Sequence, residues 1–94
     1  MKLELSEEQK ALIHRARQWY AGIEDTNPDA KDTQKYLKFW DIQTETGTDI
    51  EPTSISAVQY VLTLYMSVVE VPVLRGEIDD LLKFLDSFRS ALGV

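Results

Sequence analysis

The stretch 54–71, SISAVQYVLTLYMSVVEV, limits what this chain can fold into more than any other. Its polar residues Ser56, Gln59, Thr63, Ser67 and Glu70 fall 3, 4, 4 and 3 positions apart. At about 100° per residue, that spacing gathers all five into one helical stripe about 80° wide. Most other positions are apolar. Alternation with a period of two fails at the adjacent pairs Val61-Leu62 and Val68-Val69. The β-branched content of 68–74 taken alone suits a strand. Length and the unbroken polar stripe favour a helix instead, apolar over about 280° of its circumference. Such a helix has to be surrounded.

Three further segments are available to surround it. Ser6-Glu7-Glu8-Gln9 reads as a capping box, with Leu5 before it as a hydrophobic staple. The helix it opens runs to about Ala21 and stops at Gly22. Leu12, Ile13, Ala16, Trp19, Tyr20 and Ile23 form its apolar side, opposite Lys10, His14 and Arg17. Asn27-Pro28-Asp29 starts a second helix: a capping side chain, proline at the first helical position and an acid in the first turn. It reaches about Gln43, with Thr33, Tyr36, Leu37, Phe39 and Trp40 on one face and Lys31, Lys35 and Lys38 on the other. Residues 44–53, TETGTDIEPT, read as the longest loop, followed by Thr53 or Ser54 as the cap of the apolar helix. Pro72 ends that helix, 73–76 turn, and a last helix spans about 77–92 with Gly93 as its stop. Its inner face is Ile78, Leu81, Leu82, Leu85, Phe88 and Leu92, and Asp79 with Lys83 makes an i,i+4 ion pair.

The expected fold is therefore all-α, a small antiparallel four-helix bundle with a near-fully apolar third helix and one domain over 1–94. The 44% hydrophobic and 28% charged composition suits a soluble globular chain. No cysteine is present, which excludes disulfides, thiolate metal sites and cysteine nucleophiles. The start, MKLELSEEQK, lacks the apolar stretch of a signal peptide. The third segment is too interrupted by polar residues to span a membrane. A cytoplasmic location with no membrane association is the expectation.

Motifs for chemistry are sparse. His14 is the sole histidine, so two-histidine metal sites are excluded, and its plain reading is an exposed surface residue. Asp79-Asp80 and Glu7-Glu8 are adjacent pairs that diverge by about 100° around their helices. Asp49 and Glu51 have room to converge in the loop, but two oxygen ligands are too few for calcium. The four glycines are scattered, with no phosphate-binding loop and no G-x-S-x-G setting. No catalytic residue, metal or cofactor is expected.

The informative feature is surplus apolar surface on the third helix. A helix in a simple bundle needs an apolar stripe only somewhat over about 100° wide. Either the other helices wrap this one completely, or a second copy or another protein covers what is left. Val61, Leu64, Val68 and Val71 form one candidate edge; Val58, Leu62, Tyr65 and Val69 form the other. The expected function is a non-enzymatic protein–protein interaction module of adaptor, inhibitor or assembly-accessory type, with homodimerisation through the third helix as one form. Val61, Leu62, Leu64, Tyr65 and Val68 carry the contact, and the acidic Asp49 and Glu51 orient it. The charge is uneven: residues 1–43 hold seven Lys/Arg against eight Asp/Glu, and residues 44–94 hold three against eight. The mixed first half supports an alternative, a nucleic-acid-binding accessory using Arg15, Arg17, Lys31, Lys35 and Lys38. The phase of the second helix points Tyr36 and Trp40 away from those lysines.

Overall fold

A computed structural model describes residues 3–47 and 49–93. Four helices account for the fold: α1 (Glu7–Ala21), α2 (Ala30–Thr46), α3 (Pro52–Val68) and α4 (Pro72–Gly93). No strand occurs among the described residues, so 68–74 is a helix end, a corner and a helix start. Around α3 the architecture is radial. α1, α2 and α4 each pack closely on it, while their backbones make little approach to one another. The buried cluster draws on every helix: Ile13, Ala16 and Tyr20; Leu37 and Trp40; Ile55, Val58, Val61 and Leu62; Ile78, Leu81 and Leu85. The radius of gyration of 12.8 Å is close to the roughly 12 Å expected for a close-packed chain of this length.

Capping decides where the elements begin. The Ser6 hydroxyl accepts from the Gln9 N–H at 3.1 Å and the Gln9 side chain accepts from the Ser6 N–H at 2.8 Å, completing the capping box. Before α2, the Asn27 side chain accepts from the Asp29 N–H at 2.9 Å, and its carbonyl accepts from Ala30 N–H. The Asn-Pro-Asp signal thus makes a turn that feeds the helix, which starts at Ala30.

Several further boundaries differ from the sequence expectation, among them the end of α3, which stops at Val68 and not at Pro72. α2 does not stop near Gln43; it continues to Thr46, and Gly47 ends it in the left-handed conformation at φ 73°. The loop expected over 44–53 shrinks to 47–51, with Thr48 outside the described residues. Ile50 is buried within it, and the Gln43 side chain accepts from the Glu51 N–H. The longest connection is instead 22–29. α3 begins at Pro52 with Glu51 as an N-cap that makes no side-chain bond, so neither Thr53 nor Ser54 caps it. Ser54 lies inside the first turn, fully buried, its hydroxyl with no partner among the described residues. α4 begins at Pro72 rather than near 77. Proline serves as its first helical residue, where no N–H is needed, and the Arg75 N–H bonds the Val71 carbonyl. The expected turn over 73–76 is therefore the opening of a helix.

Candidate functional site

The polar stripe of α3 does not simply face water. The Ser56 hydroxyl accepts from Arg89 at 3.1 Å, and the Gln59 amide reaches the Leu82 carbonyl at 3.5 Å, so its first two members meet α4. The next two satisfy themselves: Thr63 donates to the Gln59 carbonyl and Ser67 to that of Leu64.

Along its length, α3 changes character at Leu62. Up to that residue Ile55, Ala57, Val58, Val61 and Leu62 are all buried. Beyond it no α3 side chain is. Val61 and Val68 stand seven residues apart, hence on nearly one azimuth, yet they are 1% and 53% exposed. The same loss of cover separates Val58 from Tyr65 and Leu62 from Val69, the later residue of each pair being half-buried. Past the corner, Val71 is 56% and Val73 73% exposed. The cause lies in the neighbours. α4 contributes its fully buried residues from Ile78 onward, so its opening turns project beyond the core. On the α1 side, the Trp19 ring meets Tyr65 at 5.6 Å between centroids. What emerges is an apolar corner in which Val68, Val71 and Val73 are exposed and Leu64 and Tyr65 half-buried; Glu70 is exposed within the same stretch, and Glu77 is exposed one turn after Val73, along the groove between α4 and the start of α1. Glu70 makes no ion pair with Arg75 among the described residues.

Of the residues singled out from the sequence as a partner surface, Val61 and Leu62 belong to the interior and are unavailable to a partner of the folded chain. Leu64 and Tyr65 are half-buried and Val68 is exposed. Asp49 and Glu51 are exposed in the short 47–51 connection. Val73 was not anticipated. The signal lies in Pro72, which at a first helical position starts α4, with the exposed Val73 directly after it.

The basic residues separate into two groups. Lys31, Lys35 and Lys38 are exposed on α2, and the Lys35 ammonium lies 5.9 Å from both the Tyr36 and the Phe39 ring centroids. Tyr36 therefore does not turn away from the lysines, whereas Trp40 is buried as expected. Arg15 is exposed on α1, but Arg17 is engaged by Asp41 across the gap between α1 and α2. That gap is a cleft of about 600 Å³ containing His14, Lys10 and Arg17 along one wall.

A second polar cluster escaped the sequence reading. Asp25, in the 22–29 connection, accepts from the Tyr20 hydroxyl at 2.5 Å, the Tyr60 hydroxyl at 3.1 Å and the Asn27 N–H at 3.0 Å. The bond from Tyr20, followed by that from Asn27, holds the Asp25 carboxyl below the usual carboxylate range. Burial, reinforced by Asp25, pushes the Tyr20 phenol well above the ordinary tyrosine range. The cluster ties the connection to α1 and α3; it brings no nucleophile and base together. Among the described residues, no three His, Asp or Glu side chains lie close enough to hold a metal ion, and no helix is long and apolar enough to cross a membrane.

Comparison with known proteins gives no relative: no family model, no curated protein and no solved structure matches this chain.

Proposed function

We propose that this chain is a small cytoplasmic, non-enzymatic protein–protein interaction module whose partner covers the α3–α4 corner. The observation that carries the reading is the contrast between Val61 and Val68, one azimuth of α3 buried at one end and bare at the other. Val71 and Val73 extend the bare end into a contiguous stretch of chain, and exposed apolar surface of this kind marks interaction sites. Electrostatics favour a partner with a basic rim. Glu70 lies in the corner's own stretch and Glu77 one turn after Val73, and residues 44–94 hold eight acids against three bases. A second copy would bring two such halves together and meet like-charge repulsion. Adaptor, inhibitor and assembly-accessory roles are the forms such a module takes.

The test compares the wild-type chain with a Val68→Asp/Val71→Asp/Val73→Asp variant, both checked for helicity and melting. Light scattering across a concentration series reads self-association, and a pull-down reads other partners. The expected result is a monomer whose captured partner is lost in the variant. A wild-type dimer that the variant splits assigns the corner to a second copy. Identical mass and identical capture in both proteins would sink the proposal.

A nucleic-acid-binding accessory is the second reading, supported by the exposed Lys31, Lys35 and Lys38 beside the exposed Phe39, with Arg15 on α1. Arg17 adds less than its charge suggests, because Asp41 already engages it. Salt-sensitive binding to DNA or RNA, lost in Lys35→Glu/Lys38→Glu, is its expected signature. No binding at low salt removes it.

A further inference from the structure

The cleft between α1 and α2 is a consequence of the radial architecture. Both helices pack mainly on α3 and their backbones approach each other little, so a space of about 600 Å³ opens between them. Small-ligand pockets have volumes of about 300–1,000 Å³. Its open apolar surface comes from the half-buried Leu5 and the exposed Ala21, with Ile13 and Trp40, almost wholly buried, closing the floor beneath. Polar groups converge from the α1 side: Lys10, His14 and Arg17 recur at i, i+4 and i+7, which places them along one wall. Facing them on α2 are Asp41 and Glu45.

Among the paired charges here, Arg17 is the least hydrated. Its side chain is 28% exposed, against 50% for Asp41 and 58% for Lys10. Only its Nη1 is engaged among the described residues, by Asp41, so most of the planar fork of donors is unspent. A guanidinium in that condition, over an apolar floor, is suited to a carboxylate, which it binds in two parallel bonds. The α2 wall of the cleft is confined to Trp40–Glu45, about 9 Å of helix, which is too short to seat a partner helix of several turns. The size and the chemistry fit a small molecule.

We propose that the α1–α2 cleft is a binding site for a small monocarboxylate with an apolar body, its carboxylate on Arg17 and its body against Leu5 and Ala21, above the small area that Ile13 and Trp40 leave open. Asp41 occupies part of the same guanidinium and so competes with the ligand. His14, one turn from Arg17, supplies a second donor. This site is separate from the α3–α4 corner, and its occupant is unrelated to the partner proposed there.

The competition provides the test. The probes are 2-naphthylacetate and its neutral amide, titrated into the full chain and followed by amide and indole NMR shifts. The acid is expected to shift the Trp40 indole and α1 residues around His14 and Arg17. The neutral amide and the Arg17→Gln variant should each bind about tenfold more weakly, the loss of one charge-assisted contact. Asp41→Asn should bind the acid more tightly by up to about tenfold, because it releases the guanidinium. A merely structural Arg17–Asp41 pair predicts no such gain. Equal binding of acid and amide, shifts away from the cleft, absence of shifts at millimolar probe, or no tightening in folded Asp41→Asn would each overturn the proposal.

Discussion

Val61 and Val68 are the same residue on the same face of one helix, two turns apart. One is core and the other is 53% exposed. The difference between the two halves of α3 is made by what stands next to them. The first half is enclosed by three helices, each supplying apolar side chains, among them Ile13, Leu37 and Ile78. The second half outruns that enclosure, and α4 turns back only after Pro72. Hydrophobic periodicity specifies a face. It does not specify where along the axis that face ceases to be covered, because that depends on the lengths and offsets of other elements.

The sharpest way to break the comparison is to make one change in each half. Leu62→Ala should cost about 2–5 kcal/mol, the lost transfer energy plus an incompletely filled cavity. Val68→Ala should stay within about 0.5 kcal/mol, as for an exposed site. For a domain whose total stability is on the order of 5–15 kcal/mol, the first change removes a large share and the second almost none. Urea denaturation reads both. Similar losses in the two variants would mean that the second half of α3 is as enclosed as the first.

A smaller effect probes the boundary between the halves, where Tyr60 is held by Asp25. Asp25→Ala removes the acceptor of two tyrosine hydroxyls, one of them on the buried Tyr20, so the melting temperature should fall at neutral pH. The acid dependence has a definite sign. The folded carboxyl titrates below its unfolded value of about 3.9, so its contribution is complete above that pH and disappears as pH drops through the folded value. Melting curves of the wild type and Asp25→Ala should therefore converge as the pH falls below about 4. A constant gap down to about pH 2 would place the stabilisation elsewhere.

How much of this was legible depends on the range of the interaction concerned. The capping box at Ser6 and the i,i+4 pair Asp79–Lys83, 3.0 Å apart, are local, and both appear as read. Helix faces were nearly as accessible: Ile13, Ala16 and Tyr20 in α1, and Ile78, Leu81 and Leu85 in α4, are buried where the period put them. Connections fared worse, since Gly47 and Pro72 each serve two meanings. In sequence Gly47 reads as punctuation inside a long loop; in the fold a left-handed glycine ends a helix there. In sequence Pro72 reads as a stop for one helix; in the fold α3 has already ended at Val68 and Pro72 starts the next. The candidate surface suffered most. Its residues are separated into Val61 and Leu62 inside and Val68 outside by tertiary offset, for which no local signal exists. The pairing of Arg17 with Asp41, across the α1–α2 cleft, is invisible for the same reason.

Ser54 sharpens the comparison from the enclosed end. Its hydroxyl is wholly removed from water and has no partner among the described residues, a condition that is destabilising by about 1–3 kcal/mol relative to a satisfied hydroxyl. Ser54→Ala leaves the packing of the first turn nearly intact and adds helix propensity, so it should stabilise the chain by about 1 kcal/mol. A loss of stability in that variant would mean that the hydroxyl has a partner after all and that this end of α3 is less dry than its burial indicates.

The smallest effect belongs to the overhanging end. Gly76 sits within the opening turns of α4, with ordinary negative φ and nothing within 4 Å of where a Cβ would stand. Gly76→Ala should therefore stabilise by about 0.5–1 kcal/mol through helix propensity alone, with no packing change to confuse it. The sign discriminates between two structures for the corner. If 73–76 were a turn requiring glycine, alanine there would destabilise and the exposed valines would lie on a loop. A gain means that Val73 is carried on a helix that begins at Pro72 and is solvated on this side. Such a helix carries Val73 in its first turn and anchors Val71 through the Arg75 N–H bond to the Val71 carbonyl before any partner arrives. Less ordering entropy is then lost on binding than a flexible corner would lose. The same half-kilocalorie that is trivial for folding thus tests whether the bare end of α3 and the start of α4 form one preorganised surface.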